Sequence, residues 1–348
     1  MRGRINDRIR AALPGETGEI AAALITGARG GISEETNQAM RDSGLFHVLS
    51  ISGLHMAIMA GTVFWLLRTL LASVPALALR FAIKKWAAAG ALATASFYLA
   101  LSGAAVPTVR AFLMMSIMLV AVTLDRPAIT MRNVALAALL ILVVAPESLF
   151  DPSFEMSFAA VIALVALYEW LSGRARPSLG DISPVWRGLR KVWVLFAGAA
   201  LTTLAASIAI APFAVYHFHR MTHYGLLANL LAAPLVSLLI MPMALISLIL
   251  MPFGLEALPL AAMGVGIEAM VAIGEWVARL PGAVSVLPAI SGTALLLMVS
   301  RRLVVLPLAD ADARLWPRHH CGRTCARAAS DAPRRPDRAG RRRRGVPL

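Results

Sequence analysis

Apolar runs about twenty residues long alternate with short polar segments from Leu54 almost to Leu308. A run of that length is what a helix needs to cross a bilayer core of roughly 30 Å. The pattern predicts spans at 54–79, 86–103, 106–124, 133–148, 157–172, 192–216, 225–251, 258–280 and 284–308. The predicted fold class is therefore all-α: a polytopic transmembrane helix bundle of about 8–9 spans, with re-entrant or broken helices where prolines interrupt. Pro234 and Pro242 fall inside the segment from Tyr224 to Met251, which reads either as one broken helix or as a re-entrant hairpin followed by a span. Ahead of the first span, Ser33 is an N-cap candidate, and Glu34 and Glu35 put favourable charge in the first turn of a helix ending near Gly44. Residues 1–44 are expected to form an amphipathic, soluble preamble lying on the surface, 45–308 the membrane domain and 309–348 a separate tail. The first twenty residues have the positive charges of a signal peptide but lack its continuous apolar region.

The connecting segments alternate in charge. The turn holding Arg80, Lys84 and Lys85 is basic, the one from Ser102 to Pro107 is neutral, and the loop with Arg126 and Arg132 is basic again. Glu147, Asp151 and Glu155 then make an acidic loop, and Arg174, Arg176, Arg187, Arg190 and Lys191 a basic one. By the positive-inside rule the basic loops face the cytoplasm, which puts the preamble and the acidic loop outside. Composition agrees with a chain dissolved in lipid: 59% hydrophobic residues, 15% charged and a mean hydropathy of +0.73. The net charge of +14 invites a nucleic-acid reading, but residues 311–348 hold eleven Arg and three Asp and so supply +8 of it. That tail is read as disordered or as out-of-frame translation. It also holds Cys321 and Cys325 beside His319 and His320, a spacing too open and too isolated to read as a metal site. No metal or other cofactor is expected.

The chemically unusual stretch is Ser43-Gly44-Leu45-Phe46-His47-Val48-Leu49-Ser50-Ile51-Ser52-Gly53-Leu54-His55-Met56, where histidines, serines and glycines enter the membrane together. Polar groups in hydrocarbon are costly, so they should face a bundle interior or a hydrated cavity. The plain alternative is that Ser50 and Ser52 bond back to helix carbonyls, Gly53 lets helices pack closely and the histidines sit at the interface. If the run is helical, His55 shares a face with Ser52, and nucleophile and base types within a membrane raise an intramembrane serine protease as a rival. Against it, the serine lacks a glycine two residues before it, and both histidines are local, unlike rhomboid-like enzymes. A secondary transporter for a small solute is the other rival, motivated by the proline-broken segment.

The run FHVLSISGLHMAIMAG resembles the signature segment of the ComEC family of competence proteins, in which a His-x-x-x-Ile-Ser-Gly-x-His element opens the membrane domain. Further landmarks follow the family's order. LITGARGGIS precedes the run, and Ser102-Gly103 with Val106-Pro107-Thr108-Val109-Arg110-Ala111 follows it. Asp151-Pro152-Ser153-Phe154-Glu155-Met156-Ser157-Phe158 comes next, then Ala228-Asn229-Leu230 ahead of Pro234. The resemblance covers roughly residues 8–298 and implies an inner-membrane, multi-pass channel that imports single-stranded DNA during natural transformation. It also implies a periplasmic DNA receptor and a cytoplasmic helicase-type motor as partners, with the lipid bilayer as surroundings.

Fuller members of the family carry an OB-like domain ahead of this region and a metallo-β-lactamase-like nuclease domain after it. Here the second position holds the Arg-rich tail without a His-x-His-x-Asp-His cluster, so the chain is read as the family's channel core, truncated at both ends, and no catalytic residue or nuclease activity is assigned. His47, Ser50, Ser52, Gly53, His55 and Arg110 are the expected channel-lining or entrance residues. Pro107, Asp151, Pro152, Phe158, Asn229 and Pro234 are expected as structural motif positions. Conduction of a DNA strand needs cations against phosphate and aromatic faces for bases, which makes Arg68, Phe46, Trp65, Phe97, Tyr98, Phe154 and Phe158 further candidates. His217, His219 and His223, spaced by two and four, read as part of an aromatic and basic belt at headgroup level.

Overall fold

A computed structural model describes residues 1–172, 184–288, 290–295, 297, 298 and 300. Three helices precede the first long span: α1 (Arg2–Ala12), α2 (Glu16–Thr26) and α3 (Glu34–Asp42). The membrane-type helices follow as α4 (Gly53–Ala72), a short α5 (Pro75–Arg80), α6 (Ile83–Leu101), α7 (Val106–Thr123), α8 (Met131–Val144) and α9 (Pro152–Ser172). Then come α10 (Pro184–Phe218), α11 (Gly225–Leu235), α12 (Met241–Leu250) and α13 (Ala257–Ala278). The chain forms an all-α polytopic bundle. Among the described residues, α4, α7, α9, the Phe196–Phe218 part of α10, Gly225–Phe253 and α13 are long and apolar enough to cross a bilayer, and α8 is a shorter apolar helix.

Four differences from the expected pattern have physical causes. The first expected span stops at Ala72 because Pro75, at the first position of α5, restarts the helix after Ser73 and Val74. Arg68 is then one turn from the end of α4 and exposed, within snorkelling reach of the helix end and not deep in a span. The segment with Pro234 and Pro242 is one continuous helical rod with a π-helical stretch, Val236–Ile240, at its middle. Both prolines lack the N–H that an α-helix uses, and widening the rod between them relieves the clash of the Pro242 ring with the turn before it. The expected span from 284 begins instead as a strand. In an antiparallel pair of β1 (Arg220–Thr222) and β2 (Val284–Val286), Met221 lies opposite Ser285. Residues 301–308 of that span, Arg174 and Arg176, and the tail from 309 with its cysteines lie outside the described residues.

The fourth difference is the preamble. α1 and α3 are amphipathic, but α2 is not a surface helix: every residue from Ile20 to Ile25 is at most 1% exposed. Its sequence EIAAALIT is apolar on all sides, so it needs protein on all sides. It finds this between α6, where the Tyr98 hydroxyl donates to the Leu24 carbonyl at 2.6 Å, and α13. α13 can take so many neighbours because its glycines are small where others approach. A Cβ at Gly266 would lie 2.8 Å from Ile240 Cγ1, and one at Gly274 2.7 Å from Met40 Sδ. The main core thus joins α2, the start of α4, the alanine face of α6 and the α11–α13 region, while Ala137, Ile141, Phe154 and Phe158 form a smaller core between α8 and α9.

The two ends of the bundle are distinct. At one, Lys85 pairs with Asp125 and the Glu169 carboxylate accepts the Met131 N–H, joining the start of α6 to the end of α7 and the start of α8 to the end of α9. At the other converge the residue 43–52 loop, the starts of α4, α7, α9 and α11, and the ends of α6, α8, α10 and α13. This second end, called the rim below, carries the motif positions apart from Pro234, which lies near the middle of its rod.

Candidate functional site at the rim of the bundle

The run from His47 to His55 forms a 3₁₀ turn (Phe46–Val48), a short link and the first turn of α4. His47 is exposed, with Nδ1 3.1 Å from the Gly44 carbonyl. Ser52 is the N-cap of α4 and His55 its third helical residue, and the two form a reciprocal capping box. The Ser52 N–H donates to His55 Nδ1 at 3.1 Å, and the Ser52 hydroxyl lies 3.1 Å from the same nitrogen. An Nδ1 that accepts an N–H bond leaves the proton of the neutral ring on Nε2. That Nε2 is buried without a hydrogen-bond partner among the described residues. These contacts between Ser52 and His55 are those of a helix cap. Gly53 has an open side: among the described residues a Cβ there would meet nothing within 4 Å. Ser50 is half-buried on the link between the 3₁₀ turn and α4.

Arg110 is in a different setting. It lies in the second turn of α7 after Pro107, and its residue is 3% exposed. Its Nη1 donates to Asp151 Oδ2 at 3.0 Å and its Nη2 to the Ser153 hydroxyl, while Nε is buried without a partner among the described residues. Asp151 is the N-cap of α9: its Oδ1 accepts the Ser153 N–H at 2.9 Å, and Pro152 follows at the first helical position. One aspartate thus caps a helix and neutralises a buried arginine. Phe158 stacks on Phe154, 4.4 Å between ring centres, in the smaller core. Asn229 donates to the Gly225 carbonyl at 2.9 Å in the first turn of α11, and Pro234 sits just before the π-helical stretch.

The histidines near 220 point to separate partners. His217 Nε2 is 2.6 Å from Glu155 Oε2, tying α10 to α9, and His223 Nε2 is 2.8 Å from the Ser285 hydroxyl beside the strand pair. Arg220 reaches Asp42 at 3.4 Å. Of the aromatic candidates, Tyr98, Phe154 and Phe158 are buried, and Trp65 and Phe97 are exposed on helix flanks. Among the described residues Phe46 is the one of these that meets cations: the guanidinium carbons of Arg29 and Arg41 lie 4.9 and 4.8 Å from its ring centre. The sequence pattern singles out Phe46 but not these arginines, which the folds of the preceding loop and of α3 deliver.

The sequence model of the family described as Competence protein matches residues 24–309, most of the chain including the whole of this rim, with α1 and the start of α2 outside it. The chain belongs to the competence protein family. Within this competence-type chain, residues similar to three curated proteins can be aligned. ComE operon protein 3 of Bacillus subtilis is 26% identical over 233 residues, 67% of this chain and 26% of the relative. The uncharacterized protein YcaI of Escherichia coli is 28% identical over 226 residues, 64% of this chain and 28% of the relative. Competence protein ComA of Neisseria gonorrhoeae is 40% identical over 94 residues, 27% of this chain and 13% of the relative. The competence-type chain therefore spans about a quarter of the length of the first two relatives. No solved structure matches it.

Proposed function

We propose that this chain is the membrane channel of a DNA-uptake system and carries one strand of incoming DNA across the inner membrane during natural transformation. Membership of the competence family is the observation that carries the reading, and one relative is named a competence protein. The rim supports it physically: His47, Ser50, Ser52 and Gly53 form a polar edge whose side at Gly53 is unpacked, as the mouth of a hydrated path requires. In this reading the chain conducts and does no bond chemistry. A periplasmic receptor delivers DNA to the rim, and a helicase-type motor on the cytoplasmic side supplies the pull. The test is DNase-resistant uptake of labelled DNA by transformable cells whose own competence membrane protein is deleted and replaced by this chain. Uptake should depend on the chain, and Gly53→Leu, which adds bulk on the open side without displacing a packed atom, should remove most of it at equal expression. Equal uptake with and without the chain would end the proposal.

A further inference from the structure

The geometry points to Arg29 and Arg41, held on the Phe46 ring, as a binding site for the phosphodiester backbone of single-stranded DNA at the rim. The site rests on the channel reading for its ligand but not for its chemistry. Phe46 packs its ring on the main core and is thereby fixed. Arg29 comes from the loop after α2, which leaves that helix through Gly27 in a left-handed conformation (φ +75°), and Arg41 from the last turn of α3. A guanidinium that lies on an aromatic face spends its face there and keeps its N–H edges free, and those edges match phosphate oxygens in pairs.

Of the rim's other charged groups, Arg110 is held by Asp151 in the buried pair, Arg220 reaches Asp42 at 3.4 Å and His217 faces Glu155. Arg29 has no carboxylate partner among the described residues. Among the described residues Arg41 pairs with Glu34 alone, whose side chain is 77% exposed, and such a solvated pair contributes little and yields readily to a stronger anion. Arg2 adds a third cation close by, its guanidinium beside Gly27 and Gly103. Partial burial, and after it the neighbouring Arg41 charge, press the Arg29 guanidinium below its ordinary value. The site lies in the chain just ahead of His47, so a strand bound here is delivered to the polar edge of α4. Backbone recognition by a cation cluster is independent of base sequence, as an uptake channel requires.

The test is arginine footprinting of the full chain in phosphatidylcholine nanodiscs, reading phenylglyoxal modification by mass spectrometry with and without oligodeoxythymidylate. The residue-by-residue readout separates this site from the Arg-rich tail. Arg29 and Arg41 should be protected by the strand and released by salt, while Arg80, at the opposite end, should react equally in both conditions. The double variant Arg29→Gln/Arg41→Gln should bind the strand with a salt dependence shallower by about 1.4 in log–log slope, at about 0.7 for each phosphate no longer neutralised. Unchanged reactivity of both arginines with bound DNA, or an unchanged slope, overturns the site and leaves the channel reading standing. Protection without chain-dependent uptake in cells overturns the channel reading and leaves the site. Protection by added phosphatidylglycerol but not by the strand would assign the arginines to lipid headgroups and overturn the proposal.

Discussion

Arg110 and the Arg29–Arg41 pair share one rim of the bundle under opposite conditions. Arg110 is buried, bonded to Asp151 and Ser153, and serves the fold by joining α7 to the cap of α9. Arg29 and Arg41 are exposed, lean on an aromatic ring, and in the case of Arg29 lack an acid among the described residues. Arg110 and Arg29 both stand in stretches that resemble family motifs, so position in a motif does not separate the structural cation from the one available to a ligand. The surroundings do: a charge removed from water must be paired in place, whereas a charge left at the surface without a partner is free to take one.

The difference is largest where the buried pair is broken on its acidic side. Asp151→Ala leaves the Arg110 guanidinium buried without an anion and removes the cap of α9, and should destabilise the bundle by about 3–5 kcal/mol. Arg110→Ala should cost less, about 1–3 kcal/mol, because the Asp151 side chain is 36% exposed and can be hydrated in its partner's absence. Thermal unfolding in detergent of the two single variants and the double variant checks this. The double variant should lose less than the two single losses added together. Additive losses would mean that the two groups are not coupled and would put Arg110 back among the free cations.

How much of this was legible in the sequence differs by element. The helices Val106–Thr123 and Ala257–Ala278 fall within two residues of the spans expected from hydropathy, because unbroken apolar runs bounded by polar turns leave a helix little choice. The Asp151-Pro152 pair was also legible as a motif, although its bond to Arg110 across 41 residues was not. α2 escaped notice because eleven residues cannot span a bilayer, and its burial is imposed by α6 and α13 rather than by its own length. The strand Val284–Val286 escaped because an apolar segment shows nothing of a partner more than sixty residues earlier. At the rim, the polar run from His47 to His55 was conspicuous, while the role of Ser52 and His55 as a capping box follows only once α4 is seen to start at Gly53.

The capping box gives an intermediate case between the two arginine settings, since Ser52 is half-buried and bonds within its own turn. Ser52→Ala should cost about 1 kcal/mol, the ordinary loss for an N-cap hydroxyl. The same variant tests the protease alternative. A fluorophosphonate probe should label the wild-type chain no more than the variant, and labelling that disappears specifically in Ser52→Ala would make this serine a nucleophile.

The smallest effect on stability belongs to the exposed arginine. Arg29→Gln gives up a cation–π interaction worth roughly 0.5–1 kcal/mol at an exposed site. It also removes the repulsion between the Arg29 and Arg41 charges, which acts in the opposite direction. No carboxylate among the described residues is left without its partner, and the packing of the main core is untouched. The two contributions oppose each other at a surface position, so unfolding should shift by no more than about 0.5 kcal/mol. Raising salt should shrink the repulsive part while leaving the interaction with the ring, so at high salt Arg29→Gln should become slightly more destabilising than at low salt. The opposite dependence on salt would mean that Arg29 has an acidic partner, and would erase its contrast with Arg110.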